Sequence, residues 1–217
     1  MIRFFSIFLL ALLCASAAAQ SSDDEDLQLW NDLQVTVPVH KKLDLVLHAE
    51  FHSANNISRF NEGRGGAGVV WKFAKNVSFN PSYAYIESRN TAGQFRTEHR
   101  VRLRGSYRFP IEKIGLTHRS SFELRFRSSG YSWRYRPSIT VEKSLPNRLI
   151  SDAKIFLTEE PFYVSTTGGF TRNRISIGIA KQISPRLGLE VYYMRQNDGF
   201  SHPGDLNVIR ASWKVIL

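Results

Sequence analysis

From Leu27 onward, apolar and polar residues alternate with a period of two, and almost no stretch places apolar residues at i, i+3, i+4 and i+7. The pattern predicts an all-β chain. It is sharpest over residues 95–109, where Phe95, Thr97, His99, Val101, Leu103, Gly105, Tyr107 and Phe109 alternate with Arg96, Glu98, Arg100, Arg102, Arg104, Ser106 and Arg108. Successive strand side chains point to opposite faces, so one face carries a ladder of charge and the other a mostly apolar stripe. At about 3.3 Å per residue such a segment spans nearly ~50 Å, longer than most strands of soluble domains.

The next two segments repeat the design. Leu116, His118, Ser120, Phe122, Leu124 and Phe126 oppose Thr117, Arg119, Ser121, Glu123, Arg125 and Arg127; then Tyr131, Trp133, Tyr135, Pro137, Ile139 and Val141 oppose Ser132, Arg134, Arg136, Ser138, Thr140 and Glu142. Weaker versions occur over 27–39, 43–53, 66–74, 77–88, 149–158, 170–181, 187–196 and 206–217. Eleven segments are visible. Short connections near residues 40–42, 75–76, 110–113, 144–147 and 183–186 are interleaved with longer polar ones near 54–65, 89–94, 159–169 and 197–205. Such an order predicts an antiparallel up-and-down transmembrane β-barrel, with short periplasmic turns and longer extracellular loops. Because single-chain bacterial barrels have an even number of strands, twelve strands are expected, with ten as the alternative.

Residues 1–19 combine Arg3, an apolar stretch from Phe4 to Leu13 and a small-residue end at Ala17-Ala18-Ala19, the pattern of a secretory signal peptide cleaved after about Ala19. Its apolar part is too short to span a bilayer, and no later run approaches the roughly 18 apolar residues of a membrane helix. Leu13 stands before Cys14 where acylation would want a small residue, and Cys14 is the only cysteine, so no disulfide is expected. Residues 20–26 contain Asp23-Asp24-Glu25-Asp26, which reads as a short solvated acidic tail ahead of a barrel domain over 27–217.

The charge pattern fixes which face points inward. The polar face is mainly arginine with scattered glutamate, a pairing suited to a confined lumen where guanidinium forks meet carboxylates. Tyr83, Tyr85, Tyr107, Tyr131, Trp133, Tyr135, Trp71 and Trp213 fall on the apolar face, often near segment ends, as interfacial aromatic girdles require. The net charge of +10 would suggest nucleic acid only if the cations were exposed, so no nucleic-acid partner is expected. The expected partners are outer-membrane lipids and the barrel-assembly machinery, for which the amphipathic strand ending the chain offers a signal.

Leu29-Trp30, Glu98-His99-Arg100, Arg119 with Glu123-Leu124-Arg125-Phe126, Arg134-Tyr135-Arg136-Pro137 and Glu160-Pro161-Phe162 resemble the domain of unknown function 2490 family. The resemblance covers nearly the whole of the chain after residue 19. It implies an outer-membrane-type barrel and supplies no catalytic residue.

Three constellations are candidates for chemistry. The first is the lumen ladder of Arg96, Glu98, Arg100, Arg102, Arg104, Arg108, Arg119, Glu123, Arg125, Arg127, Arg134 and Arg136, either a network filling a narrow barrel or the lining of an anion-favouring passage. The second is His118 with Ser120 on the apolar face, the arrangement of a lipid hydrolase of the outer-membrane phospholipase or lipid A deacylase type if an acid orients the imidazole. The third is His48, Glu50 and His52 on one strand face, a possible metal set. No cofactor motif is present and none is expected. The pattern therefore points to a non-enzymatic outer-membrane barrel, a narrow passive channel or structural envelope component. A lipid hydrolase and a soluble periplasmic β-barrel binding protein are the alternatives.

Overall fold

A computed structural model describes residues 25–90 and 92–217. The signal-peptide segment and Asp23-Asp24 lie outside the described residues. Eleven strands follow one another: β1 (Glu25–His40), β2 (Leu43–Ala54), β3 (Arg59–Ala74), β4 (Val77–Arg89), β5 (Phe95–Phe109), β6 (Gly115–Arg127), β7 (Gly130–Ser144), β8 (Ala153–Val164), β9 (Gly169–Ser184), β10 (Leu187–Asp198) and β11 (Asp205–Ile216). Each pairs antiparallel with its sequence neighbours, and β1 closes on β11 to complete a barrel.

The count corrects the expectation of twelve. An odd meander brings its first and last strands together running the same way, so the closing pair is parallel, in continuous register from Glu25 beside Asp205 to Thr36 beside Ile216. The expected contrast between short turns and long loops is also absent. Residues 55–58, 90–94, 128–129, 165–168 and 199–204 join strands at the rim where β1 begins, here the upper rim. Residues 41–42, 75–76, 110–114, 145–152 and 185–186 join them at the lower rim, which holds the longest connection.

Two of the four acids assigned to a solvated tail belong to the barrel. Glu25 accepts a hydrogen bond from Arg195 Nη2 at 2.7 Å. Asp26 is buried, and its carboxylate accepts the backbone N–H groups of Asn55 and Asn56 at 3.1 and 2.9 Å. It thereby holds the turn in which Asn55, Asn56 and Ile57 all take positive φ. A carboxylate with donors to accept leaves water at little cost, which a hydropathy pattern cannot register.

β3 and β8 depart most from their predicted spans. β3 begins at Arg59 instead of residue 66, because Glu62 and Arg64 point inward while Gly63 and Gly65 supply the outer face with no apolar signal. β8 occupies Ala153–Val164 instead of 149–158. Its register with β7 sets Arg134 beside Val164 and Ile139 beside Glu159, which places Pro137 opposite Pro161. Neither proline has an N–H, and the paired ladder is interrupted between those points.

The exterior is apolar around the whole barrel. Leu33, Leu45, Leu47, Leu103, Ile139, Leu157, Ile175, Ile177, Val191 and Ile209 are exposed along its waist. Outward aromatic rings gather toward the two rims: Phe60 beside Phe95, Phe126 beside Tyr131 and Tyr163 beside Phe170 above, Trp71 beside Phe73 and Tyr107 beside Phe109 below. Each tyrosine and tryptophan placed on the apolar face from sequence lies outward.

Candidate functional site: the barrel lumen

Parity places the charged row of β5, β6 and β7 inside, and the strand register sets opposite charges side by side. Glu98 on β5 accepts Arg100 Nε at 2.7 Å, both Nε and Nη2 of Arg125 at 2.9 and 2.7 Å, and Arg127 Nε at 2.8 Å. Glu123, fully buried on β6, accepts Arg134 Nε at 2.6 Å and Arg136 Nη1 at 2.7 Å, with Arg100 Nη1 at 4.0 Å. The remaining ladder residues sit elsewhere. Arg96 is exposed at the upper rim, bonded to Gln94, and Arg108 meets Glu142 at the lower rim. Arg102 donates to Ser82 Oγ at 3.2 Å, and Arg119 reaches Glu160 on β8 at 3.2 Å. Arg104 makes no hydrogen bond or ion pair among the described residues.

The opposite wall contributes residues that the alternation did not single out. Glu160 binds Arg136 Nη2 at 2.6 Å, and Phe162, wholly buried, lies under the guanidinium groups of Arg134, Arg136 and Arg174. Arg174 also covers Trp30, which stacks flat on His52 at 4.0 Å between ring centroids. Trp30 Nε1 donates to Gln28, which donates to Asp26, and Leu206, Val208 and Met194 pack around the indole. Their sequence signal was weak because Phe162 and Trp30 are apolar residues on an inward face. The Glu160-Pro161-Phe162 and Leu29-Trp30 motifs had marked the places without assigning a side.

These contacts link β1, β9, β8, β7, β6 and β5 around the interior, and the residues making them are nearly all buried despite pointing inward. The upper half of the lumen is therefore filled by side chains, as narrow barrels commonly are. Below it lies a cavity of about 380 Å³, lined by Arg102, Arg104, Arg119, Arg136, Glu160 and Arg210 among others. Its walls run down to Glu142, Glu190 and Lys214 near the lower rim, where Lys72, Lys154, Lys214 and Arg108 are about half exposed.

The proposed metal set is only partly assembled. Glu50 and His52 meet Asp32, with one ligand atom from each within 4.8 Å of the others, while His48 lies apart against Gly66, where an added Cβ would stand 2.6 Å from the imidazole. The two carboxylates are already neutralised: Arg210 Nε reaches Asp32 at 2.5 Å and Arg64 Nη1 reaches Glu50 at 2.7 Å. The arrangement is an ion-paired belt, and guanidinium charge stands where a cation would have to bind.

The profile of the family described as "Protein of unknown function (DUF2490)" matches residues 27–207. The chain belongs to this family. Among solved structures, the anion-selective porin from Comamonas acidovorans matches 78% of this chain and 55% of its own, at 12% identity and a TM-score of 0.38. The chain thus spans about half the length of that porin. A structure titled KdgM porin matches 79% of this chain and 90% of its own, at 14% identity and a TM-score of 0.47. No curated protein matches the sequence.

On the outside of this DUF2490 barrel, the structure does bring His118 and Ser120 together. His118 Nε2 and Ser120 Oγ are 3.0 Å apart, and Ser120 Oγ is also 3.0 Å from the Tyr135 hydroxyl. Across the neighbouring strands His118 faces Tyr107 and Ile139, so neither flanking position offers a carboxylate to orient the ring. The three polar groups satisfy one another on an otherwise apolar face.

Proposed function

We propose that this DUF2490 protein is a non-enzymatic outer-membrane β-barrel, exported by its N-terminal signal segment, whose lumen is a polar vestibule entered from the lower rim. One observation carries the reading: around a closed barrel, guanidinium and carboxylate groups fill the interior while leucine, isoleucine and valine face out between two aromatic zones. In water that exterior would be a continuous apolar surface far beyond what soluble monomers expose. In a bilayer it is the low-energy state, and lipids and the barrel-assembly machinery are the corresponding partners. The packed upper half favours an envelope component that is closed at rest over an unobstructed channel.

The protein is expected in the outer-membrane fraction, to require detergent for extraction, and to migrate differently on gels when folded and when boiled. In planar bilayers it should give no steady conductance. Recovery of the folded chain as detergent-free periplasmic material would replace this reading with a soluble binding protein, and steady conductance would replace the closed vestibule with a passive pore. The lipid-hydrolase reading rests on the 3.0 Å His118–Ser120 contact alone. Acyl release from phospholipid vesicles that disappears in S120A would establish it.

A further inference from the structure

Eight buried side-chain polar atoms among the described residues lack a hydrogen-bond partner, and five of them lie on one inward patch of β5–β7. They are Nε of Arg104, Arg119 and Arg136 and Oγ of Ser121 and Ser138. The register explains the clustering: Arg104, Ser121 and Arg136 form one row across the three strands, and Arg119 and Ser138 are neighbours in the next. All five atoms can donate, and a buried donor without an acceptor is destabilising. Satisfied lumen networks elsewhere in the barrel show that the fold can pair such groups. Here it does not.

Charge singles out the same place. Arg104 has no carboxylate partner among the described residues, and Arg102 bonds only to the Ser82 hydroxyl. The nearby acids are engaged, Glu123 by Arg134 and Arg136, Glu160 by Arg119 and Arg136. These pairs hold Arg119 and Arg136 in place, so the patch is preorganised and carries more positive than negative charge. Arg102, Arg104, Arg119 and Arg136 line the 380 Å³ cavity, a size suited to a small molecule, whereas Ser121 and Ser138 do not reach its wall. Guanidinium forks match the oxygens of phosphate and carboxylate groups. A tetrahedral dianion offers more acceptors and more charge than a monocarboxylate, which suits a cavity wall carrying the guanidinium groups of Arg102, Arg104 and Arg119.

We propose that Arg104, with Arg102 and Arg119, binds the phosphate group of a small solute that enters through the lower mouth. The site requires only that this mouth be open to water and does not depend on where the barrel resides. The test is calorimetric titration of inorganic phosphate into the full chain folded in detergent at low ionic strength, with folding verified by heat-modifiable migration. Saturable binding of one phosphate per chain is expected, weakened at least tenfold in R104Q and changed less than twofold in R96Q, which removes the same charge from the upper rim of the same strand. If R104Q does not fold, R102Q carries the same expectation. Glycerol phosphate binding more tightly than phosphate would identify an organic phosphate as the occupant; equal affinity would identify the free ion. A folded barrel that takes up no phosphate, equal loss in R104Q and R96Q, or acetate binding as tightly as phosphate would overturn the proposal. A chain that binds phosphate but fractionates as soluble protein would overturn the membrane reading alone.

Discussion

The two halves of the lumen are built from the same residue types and behave as opposites. In the upper half Glu98 serves Arg100, Arg125 and Arg127, Glu123 serves Arg134 and Arg136, and the aromatic faces of Trp30 and Phe162 lie against Arg174. In the lower half arginines outnumber the acids that could neutralise them, and space opens instead of closing. Arginine in a barrel interior is therefore not one signal. Its role depends on whether a carboxylate sits beside it in the strand register, since a desolvated charge is tolerable only when paired and hydrogen-bonded.

The largest effect is expected where the packed half is most interlocked. Glu123→Gln leaves Arg134 and Arg136 without their shared carboxylate in a fully buried position, and removing one partner of a buried pair costs about 3–5 kcal/mol. Denaturant titration of the refolded barrel in vesicles measures it. Next, Phe162→Ala removes the ring on which Arg134, Arg136 and Arg174 rest, with a loss of about 3 kcal/mol from packing. Because it hollows the upper half, F162A should also give bilayer conductance that the parent lacks. If it loses stability without conducting, the upper half is closed by something besides this ring. Ile177→Arg on the outer waist should cost about 2–4 kcal/mol in a bilayer, since β9 places this side chain outward near mid-strand. The smallest effect belongs to the lower mouth. Arg108→Gln breaks a half-exposed pair with Glu142, worth at most about 1 kcal/mol, and its unfolding midpoint should be close to the parent's. An R108Q penalty equal to that of E123Q would erase the distinction between the halves.

The sequence made β5, β6 and β7 legible because nearly every inward position there is charged or hydroxylated, so parity alone identified their two faces. The same rule failed where an inward residue is apolar or an outward one is missing. Phe156 and Phe162 point into the lumen while Glu159 is exposed on the outside, which blurs the alternation of β8, and Gly63 and Gly65 erase the outer stripe at the start of β3. Eleven segments were countable, yet the rule of even strand numbers moved the expectation to twelve. A parallel closing pair satisfies the backbone of β1 and β11 without a further strand. Within the lumen, the twelve ladder residues could be placed on one face, but Glu160, Asp32, Glu50, Arg64, Arg174 and Arg210 could not be assigned to them. Glu50 meets Arg64 across β2–β3 and Glu160 meets Arg136 across β7–β8, whereas Asp32 meets Arg210 only where β11 closes on β1, and no local period encodes that closure.

The account depends on the guanidinium rows facing a sealed interior while the aliphatic rows meet hydrocarbon. In a chain lacking Cys14, cysteines introduced singly at Val101, Arg102, Leu103 and Arg104, labelled with an environment-sensitive fluorophore and reconstituted in brominated-lipid vesicles, read out each position's surroundings directly. Positions 101 and 103 should be strongly quenched and positions 102 and 104 protected. Quenching at 102 and 104 with protection at 101 and 103, or no quenching at any of the four, would contradict it.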